Sequence, residues 1–356
     1  MFEAWYEQRL SESATLLGGL YDVNSEFDVL PAAGLFVHSA HGMGSDFGNS
    51  GRNGPSTFPV SSVAVRLDVT LADDFYLRTV VADGVPGDPD DPDGTQVIFE
   101  SGDGLLLAAE VGWLDVPEEE PRRRELLMEQ IPTAERRAGD LSKTAFGIWG
   151  YTSEFNDFFR VDTGGQPLVF DGTVGVYALT EQRLFSEELD PYQGLSVFAR
   201  AGVADDRANL FDGYLGAGLV YRGPFPGRDD DRLGFAVAAA HLSEDFRTAA
   251  SLGGNDLESW EVALELTYRA VLAPWLSIQP DVQYILDRGG DADHLAVVVT
   301  PDLGLLAHPA VVAVGESQPV LQGIGCCALE GGVDGARHRF AALRMDQFEV
   351  LLGGAR

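Results

Sequence analysis

The sequence predicts an all-β fold, a transmembrane antiparallel β-barrel, and three observations favour it. Polar and apolar residues alternate with a period of two through residues 259–269 and 276–284. Segments with this alternation are about 9 to 13 residues long, which suits tilted strands that cross a bilayer better than the shorter strands of a soluble sandwich. The links between the segments alternate between short and long, as turns and loops do at the two rims of an outer-membrane barrel.

Thirteen strand-like segments, separated by Gly, Asp, Pro and Asn, recur from the start of the chain to about Val299. They lie near residues 2–10, 13–23, 58–71, 74–83, 104–115, 142–152, 172–184, 193–203, 210–222, 232–242, 258–272, 275–286 and 294–299. The short links are 11–12, 72–73 and 273–274, and the long links are 24–57, 84–103, 153–171 and 243–257. Two links depart from the alternation, because 116–141 is long and 204–209 is short. The polar run 118–137 is predicted to be a helical connector.

The composition narrows the classes of protein to be considered. The chain has 356 residues, of which 45% are hydrophobic, and this content argues against a disordered chain. The 24 basic and 56 acidic residues give a formal charge of −32, which would repel phosphates, so nucleic acid is not expected as a partner. No window approaches the roughly 18 to 20 apolar residues of a spanning helix, so strands must carry any membrane insertion.

Seven stretches of the chain, in the same order, carry a resemblance to a known family. They are FEAWYEQRL (2–10), GLYDVNSEFDV (19–29), NGPSTFPVSSVAVRL (53–67), VPGDPDDPDGTQ (85–96), QGLSVFARAGV (193–203), DRLGFAVAAAHLS (231–243) and SIQPDVQYILDRGGDAD (277–293). The chain resembles the carbohydrate-selective porins of Gram-negative outer membranes, the OprB-like family, over most of residues 1–298. The resemblance implies a sixteen-stranded barrel, preceded by a signal peptide, through which sugars diffuse passively.

Both ends of the sequence depart from that family pattern. The start, MFEAWYEQRL, shows no basic region followed by an apolar one, and the thirteen predicted strands are three fewer than the family has. After about Val299 the alternation is lost, where the family would finish with a strand ending in an aromatic residue. We therefore expect an incomplete barrel over 1–299, without its signal peptide, and an atypical tail over 300–356, frame-shifted or disordered. The adjacent pair Cys326-Cys327 in this tail indicates nothing about the redox compartment.

The resemblance also implies that the long link 24–57 folds into the barrel and narrows it. Its composition suits a sugar constriction, because amide and charged groups stand among phenylalanines and sugars need both polar contacts and an aromatic face. The polar candidates within the link are Asn24, Glu26, Asn49 and Arg52.

Residues on the polar parity of the strands are further candidates for contact with a passing solute. Arg66, Asp68, Arg78 and Arg200 are predicted to line the pore, where a guanidinium offers several fixed donors to hydroxyl groups. The alternative is that these charges only solvate a wide channel or cross-link its wall. Trp5 and Glu7 share a strand face and would form an aromatic platform beside a carboxylate. The alternative for Trp5 is a place in the interfacial aromatic belt.

Metal, cofactor and catalytic signals are weak throughout the sequence. The acidic run 87–94 is rich in oxygen ligands but lacks a glutamate at EF-hand spacing, and a solvated external loop is the better interpretation. His38 and His41 have no third ligand at a recognisable spacing, so we expect no zinc site. We find no nucleophile elbow, no His-Glu-x-x-His and no phosphate loop, and therefore expect neither an enzyme nor a cofactor.

The sequence thus predicts an outer-membrane porin for the passive, selective diffusion of mono- or small oligosaccharides, with outer-membrane lipid around it. A soluble or secreted all-β carbohydrate-binding module is the alternative. An outer-membrane enzyme barrel is a third hypothesis, but the Ser/His/Asn arrangement that it needs is not apparent in the sequence. The porin could act as a monomer or as a homo-oligomer.

Overall fold

The structure is a computed structural model that describes residues 2–72, 74–89, 96–115, 142–187, 190, 193–273, 275–286, 294–303 and 312–313. Within these residues, fourteen strands form one antiparallel sheet, in which each strand pairs with its neighbours in sequence. The strands are β1 (Ala4–Ser11), β2 (Ala14–Tyr21), β3 (Ser62–Ala72), β4 (Phe75–Asp83), β5 (Leu105–Asp115), β6 (Ser142–Val161), β7 (Pro167–Ser186), β8 (Gly194–Ala204), β9 (Phe211–Arg222), β10 (Arg232–Leu242), β11 (Trp260–Ala273), β12 (Leu276–Leu286), β13 (His294–Leu303) and β14 (Val312–Ala313). Helices α1 (Ser45–Gly48) and α2 (Glu244–Leu252) lie in links.

All thirteen predicted strands are present, each within a few residues of its predicted bounds except at one hairpin. The prediction that 153–171 forms a long loop is wrong, because β6 and β7 continue through it as strands of 20 residues each. Their turn is short: the Asp162 amide donates to Gln166 O at 2.8 Å, and the Gly165 amide donates to Asp162 O at 3.0 Å. The pairing with β7 is irregular on both sides of 154–156, but β6 keeps alternating between buried and exposed residues there. The sequence hides this continuation because Ser153 and Asp157 make the inward parity polar as well, so no polar and apolar alternation is visible. The predicted connector 118–137 and most of the tail lie outside the described residues.

The two faces of the sheet differ in chemistry in the opposite sense to a soluble protein. The inward face, defined here as the face that carries the buried side chains, contains many charged residues: Arg66, Asp68, Glu110, Lys143, Glu181, Arg200, Glu261, Glu265 and Asp281. The outward face carries exposed apolar residues on nearly every strand: Leu16, Val65, Val81, Leu107, Phe146, Ile148, Val174, Val176, Val203, Leu215, Leu219, Phe235, Leu266, Val282, Leu295 and Val297. This is the distribution of a wall with lipid outside and polar groups inside.

The link 22–61 between β2 and β3, here named the inner loop, packs against the inward face and shows that the sheet is curved. Ala32 contacts Glu181 in β7, and Leu35 contacts Gln279 in β12. A 3-10 turn at Ala33–Leu35 places these two loop residues only about 6 Å apart along the chain. On a flat sheet β7 and β12 would be roughly 24 Å apart, at about 4.8 Å per strand. The strands must therefore curl around the inner loop.

Glycines let large rings lie flat against the inward face. A Cβ atom on Gly147 would lie 2.0 Å from Tyr177 Cζ, and one on Gly112 would lie 2.4 Å from the Tyr76 ring. Each glycine stands next to the tyrosine across a strand pair, so that the ring occupies the space that a side chain would fill. A larger residue at either position would push the ring away from the wall.

Candidate functional site

Arg66 lies at the centre of an ion-pair cluster between the wall and the start of the inner loop. It projects from β3, where the alternation of the strand turns it inward. Its Nε donates to Glu26 Oε2 of the inner loop at 2.7 Å, and its Nη2 donates to Glu7 Oε1 of β1 at 2.8 Å. Its Nη1 donates to Thr15 Oγ1 of β2 at 2.8 Å. One guanidinium therefore joins three strands to the loop.

Arg78, which pairs with Asp68 across β3 and β4, extends this cluster. Its Nε donates to Asp68 Oδ2 at 2.6 Å, and its Nη1 donates to the carbonyl oxygen of Glu26 at 3.0 Å. The guanidinium carbon lies 5.1 Å from the centre of the Tyr76 ring. We name Glu7, Glu26, Arg66, Asp68 and Arg78 the arginine cluster.

The arginine cluster keeps a polar surface that a small solute could reach. The side chains of Glu7, Glu26 and Arg78 are 20%, 15% and 15% exposed, whereas that of Arg66 is 2% exposed. Burial acts to raise the pKa of Glu26, but the charges of Arg78 and Arg66 outweigh it, so the pKa lies below its ordinary value. Glu26 is therefore an anion at neutral pH, and the accessible part of the cluster offers both acceptors and donors.

Three glutamates from different strands hold the backbone of the inner loop. Glu110 of β5 accepts a hydrogen bond from the Asp28 amide at 3.0 Å, and Glu181 of β7 accepts one from the Ala32 amide at 2.8 Å. Glu265 of β11 accepts from the amides of Val37 at 2.6 Å and His38 at 3.1 Å. Hydrogen bonds between a carboxylate and backbone amides are stronger than neutral ones, so these contacts fix the path of the loop.

Cations of the wall hold carbonyl oxygens of the same loop. Lys143 Nζ donates to Val29 O at 2.8 Å and lies 3.1 Å from Glu110 Oε1. Arg200 of β8 donates to His41 O at 3.1 Å and forms an ion pair with Asp28, with 2.9 Å between Nε and Oδ1. Most of the buried charge of the inward face is thus directed at the inner loop.

An aromatic contact completes the attachment of the inner loop. The ring of Phe47, in α1, stacks on Trp149 of β6 with a centroid separation of 5.0 Å and an interplanar angle of 6°. The ring of Tyr177, on the neighbouring strand β7, is also stacked with Phe47, with a centroid separation of 6.2 Å. Phe47 is fully buried, so this part of the loop is packed as tightly as a protein core.

The structure brings together five of the ten predicted site residues and separates the others. Glu7, Glu26, Arg66, Asp68 and Arg78 form the arginine cluster, and Trp5 lies two residues from Glu7 on the inward face, 38% exposed. Arg200 belongs to the buried attachment of the loop instead. The remaining three lie along the loop: Asn24 donates to Gly42 O at 3.1 Å, Asn49 to Ser45 O at 3.1 Å, and the exposed Arg52 to Glu154 O at 3.0 Å.

Sequence reasoning missed the residues that attach the loop, namely Glu110, Lys143, Glu181 and Asp28. A signal was available for Glu110, because it is the single charge on the inward parity of an otherwise apolar strand, in LLLAAEVGW. Such an isolated charge needs a partner when it is buried. The identity of the partner depends on the path of the inner loop, which the alternation of the strands does not encode.

The described part of the chain shows how the candidate metal ligands of the sequence are arranged. There, no group of three or more His, Cys, Asp or Glu side chains is arranged to hold a metal ion. His38 and His41 are buried, and burial lowers the pKa of His38 to about 4 and that of His41 well below its ordinary value.

Among the described residues, no helix is both long and apolar enough to cross a membrane. The acidic run 87–94 falls largely outside the described residues.

A curved antiparallel sheet with a polar inward face, an apolar outward face and a loop packed inside defines a porin-like β-barrel protein. Residues 1–303 match the family described as carbohydrate-selective porin, OprB family. The chain belongs to this family of outer-membrane β-barrel porins, which are not enzymes.

Relatives and a solved structure agree with this assignment. The chain is 28% identical over 310 residues to Porin B of Pseudomonas aeruginosa, which covers 81% of this chain and 63% of that protein. It is 25% identical over 144 residues to the putative porin QuiX of Acinetobacter baylyi, which covers 36% of this chain and 33% of that protein. The high-pH structure of Pseudomonas putida OprB superposes with a TM-score of 0.66 at 22% identity, over 84% of this chain and 71% of that chain. The chain thus spans less than two thirds of the length of these curated relatives.

Proposed function

We propose that the chain forms the wall and the constriction of an outer-membrane porin through which mono- or small oligosaccharides diffuse passively. The observation that carries the proposal is the contrast between the faces of the sheet: apolar and exposed outside, charged and covered by the inner loop inside. The family's description as carbohydrate-selective supports sugars as the solutes. No cofactor is required, because the gradient of the solute drives the transport.

The arginine cluster and the inner loop together would form the selective part of the pore. Sugar hydroxyls can exchange water for the carboxylates of Glu7 and Glu26 and the guanidinium of Arg78, while the ring of Trp5 offers an apolar face. Such contacts must be strong enough to select the solute and weak enough to release it. Asn24, Asn49 and Arg52 are proposed to line the approach along the inner loop. Asp68 and Arg66 would orient the charges that the solute meets.

We also propose the architecture that this function requires. The described strands would be part of a sixteen-stranded barrel. The barrel unit expected from the sequence, residues 1–299, would extend through β13 to Leu303 and include β14, so that only the remainder of 300–356 would be a separate tail. The rim with the links 22–61 and 84–104 and the turn of the β6–β7 hairpin would face the exterior, and the rim with the turns 12–13 and 73–74 would face the periplasm. This orientation follows the usual arrangement of long external loops and short periplasmic turns.

The proposed transport can be tested with the purified full chain refolded in detergent and reconstituted into liposomes. We expect swelling in isotonic glucose or maltose that is faster than in a zwitterionic amino acid of similar size, and ion-conducting steps in planar bilayers. Glu7→Gln should change the ratio of the sugar rates, because it alters an exposed part of the arginine cluster. Gln8→Ala, one residue along on the outward face, is the matched control and should leave the ratio unchanged.

The same preparation separates the porin from a soluble carbohydrate-binding module. A porin stays in the membrane fraction after a urea wash and requires detergent for extraction, and its folded form migrates differently from the heated form on a gel. If urea alone releases the chain, or if liposomes containing it do not swell in any sugar, the proposed function is wrong.

A further inference from the structure

Arg200 stands apart from the arginine cluster because the inner loop surrounds it. Its side chain is 3% exposed and lies at the middle of β8. Besides the ion pair with Asp28, its guanidinium donates to the carbonyl oxygens of Asp28, His41 at 3.1 Å and Gly42 at 3.2 Å. It therefore meets two segments of the loop that are more than ten residues apart in sequence, and a solute cannot reach its donors.

Asp28 connects the same two segments from the loop side. One carboxylate oxygen, Oδ1, faces Arg200, and the other, Oδ2, accepts a hydrogen bond from the Gly44 amide at 2.8 Å. The Asp28 amide in turn donates to Glu110 and to the hydroxyl group of Tyr177. The segment of the inner loop around residue 28 and the segment around residues 41–44 are thus joined to each other and to β5, β7 and β8.

The surroundings of this ion pair leave little space for another arrangement. The Tyr214 hydroxyl of β9 donates to Ala40 O at 2.7 Å, next to the carbonyls that Arg200 holds. A Cβ atom on Gly44 would lie 2.6 Å from Asp46 Oδ1, and one on Gly202 of β8 would lie 2.2 Å from Asp46 Oδ2. The loop and the wall are therefore in close contact beside Arg200, which restricts the geometry of the pair.

We propose that Arg200 and Asp28 are positioning residues that set the width of the constriction by fixing the two segments of the inner loop against β8, and that neither touches the solute. This inference rests on the proposed function, because it concerns the constriction of the same pore. It differs from the prediction that Arg200 lines the pore. A guanidinium suits this role because its planar fork can bind a carboxylate and several carbonyl oxygens simultaneously.

The position of the loop can be measured independently of transport by amide hydrogen exchange of the refolded full chain in detergent. Loss of a buried hydrogen-bonded charge should accelerate exchange of peptides within 26–48 about ten- to a hundredfold in Arg200→Gln, with the strands β10–β12 unchanged. Arg200→Lys keeps the charge opposite Asp28 but not the fork, and should fall between wild type and Arg200→Gln. Asp28→Asn combined with Arg200→Gln should accelerate exchange less than the product of the two single effects.

Arg207→Gln is the matched control. Arg207 is an ion-paired arginine of the link after β8, and its bonds go to Asp205 rather than to the inner loop. We expect wild-type exchange within 26–48 for this variant. In planar bilayers, Arg200→Gln should show larger and noisier conductance steps and weaker discrimination between glucose and maltotriose, whereas Arg207→Gln should match the wild type.

The possible outcomes separate this inference from the proposed function. If the wild-type chain does not conduct, the proposed function fails, and the exchange data still report whether Arg200 fixes the loop. If Arg200→Gln leaves exchange within 26–48 unchanged, the positioning role is wrong. If exchange stays unchanged while the rate for glucose falls without a change in conductance, Arg200 contacts the solute directly, and the positioning role is again overturned.

Discussion

Arg66 shows how one buried side chain can join several elements of the proposed site. Its donors are divided among Glu7, Thr15 and Glu26, so each contact depends on the position of the others. Buried ion pairs contribute little net stability when intact, but removal of one partner leaves uncompensated charge and is costly. The guanidinium therefore keeps the two carboxylates in place, and part of each remains exposed.

Replacement of Arg66 by methionine should destabilise the protein by about 3 kcal/mol, the lower end for a broken buried pair, because Glu7 keeps some contact with water and Glu26 keeps Arg78. The measurement is urea-induced unfolding of the refolded chain in liposomes, followed by the gel shift of the folded form. Arg52→Met is the control, since Arg52 is exposed and makes one hydrogen bond to a carbonyl oxygen. Equal unfolding midpoints for the two variants would contradict the central role of Arg66.

The inner loop is the element that distinguishes the two faces of the sheet most clearly. It has little regular structure, only three 3-10 turns and α1, and its rigidity comes from contacts with the wall.

Two buried carboxyl groups of the inner loop have pKa values raised toward neutral pH. Burial, reinforced by the charge of Asp28, raises the pKa of Asp46 to about 7 against the opposing effect of Arg200. Burial raises the pKa of Asp28 to about 6, again opposed by Arg200.

These shifts give the attachment of the inner loop a pH dependence with a defined sign. A carboxyl group whose pKa is raised in the folded state contributes stability that is present below its unfolded pKa, near 4, and is lost as pH rises through about 7. We expect faster hydrogen exchange within 26–48 at pH 8 than at pH 5, after correction for the intrinsic rates. Asp46→Asn should remove the larger part of this difference and protect the loop more than wild type at pH 8. An unchanged pH dependence in this variant would refute the assignment.

The β6–β7 hairpin is the second element with a distinct role. Its strands are 20 residues long, about twice the length needed to cross a bilayer, so it must project beyond the rim. Phe158 of the projecting part contacts Phe246 of α2, with ring centroids 5.4 Å apart, and the Phe158 amide donates to Arg207 O at 2.9 Å. The projection is therefore supported by neighbouring links of the same rim.

Because the β6–β7 turn projects beyond the rim, we predict that an epitope inserted between Gly164 and Gly165 leaves the protein folded and is exposed outside the cell. Both glycines are exposed and lie in the turn, where an insertion disturbs few contacts. The readout is antibody labelling of intact cells that carry the chain in the outer membrane behind a supplied signal sequence. The same epitope in the turn after β11, next to Ala273, should be labelled only after permeabilisation. The reverse labelling pattern would invert the proposed orientation.

At the scale of the whole molecule, we expect lipid to cover the apolar outward face. Val176 and Val169 both lie on β7, and both are exposed, at 44% and 58%. Val176 lies among the apolar residues of the wall, whereas Val169 belongs to the projecting hairpin. A soluble protein would tolerate a charge equally at two exposed positions, but a lipid-facing position would not.

Val176→Arg should accordingly destabilise the inserted protein by about 2 to 4 kcal/mol, while Val169→Arg should have little effect. The free energies of unfolding of the two variants can be measured by reversible denaturant unfolding from the same liposomes. Similar values for the two substitutions would argue against a bilayer around β7 and in favour of a soluble sheet.

The periodicity of the strands was sufficient to locate the strands of an antiparallel sheet, because the alternation of side chains is a local property of sequence. Strand length and the alternation of short and long links were needed to favour a barrel over a soluble sheet. The periodicity failed at 153–171, where polar residues on both parities of β6 hide the continuation of the strand. Within the candidate site, Arg66, Asp68 and Arg78 were identifiable as inward charges from the strand pattern alone. Their grouping with Glu26, and the separate position of Arg200, depend on long-range contacts of an irregular loop, which no local period specifies.

The flat tyrosines of the inward face have a consequence for redesign of the molecule. Because Gly112 and Gly147 leave room for the rings of Tyr76 and Tyr177, the lining of the wall at these points is one ring thick. Their hydroxyl groups both donate to Glu110, at 2.5 and 2.7 Å, so neither ring can swing aside without losing a bond. A methyl group added at Gly112 or Gly147 would overlap these rings, so it would displace them from the wall toward the inner loop and break their hydrogen bonds to Glu110.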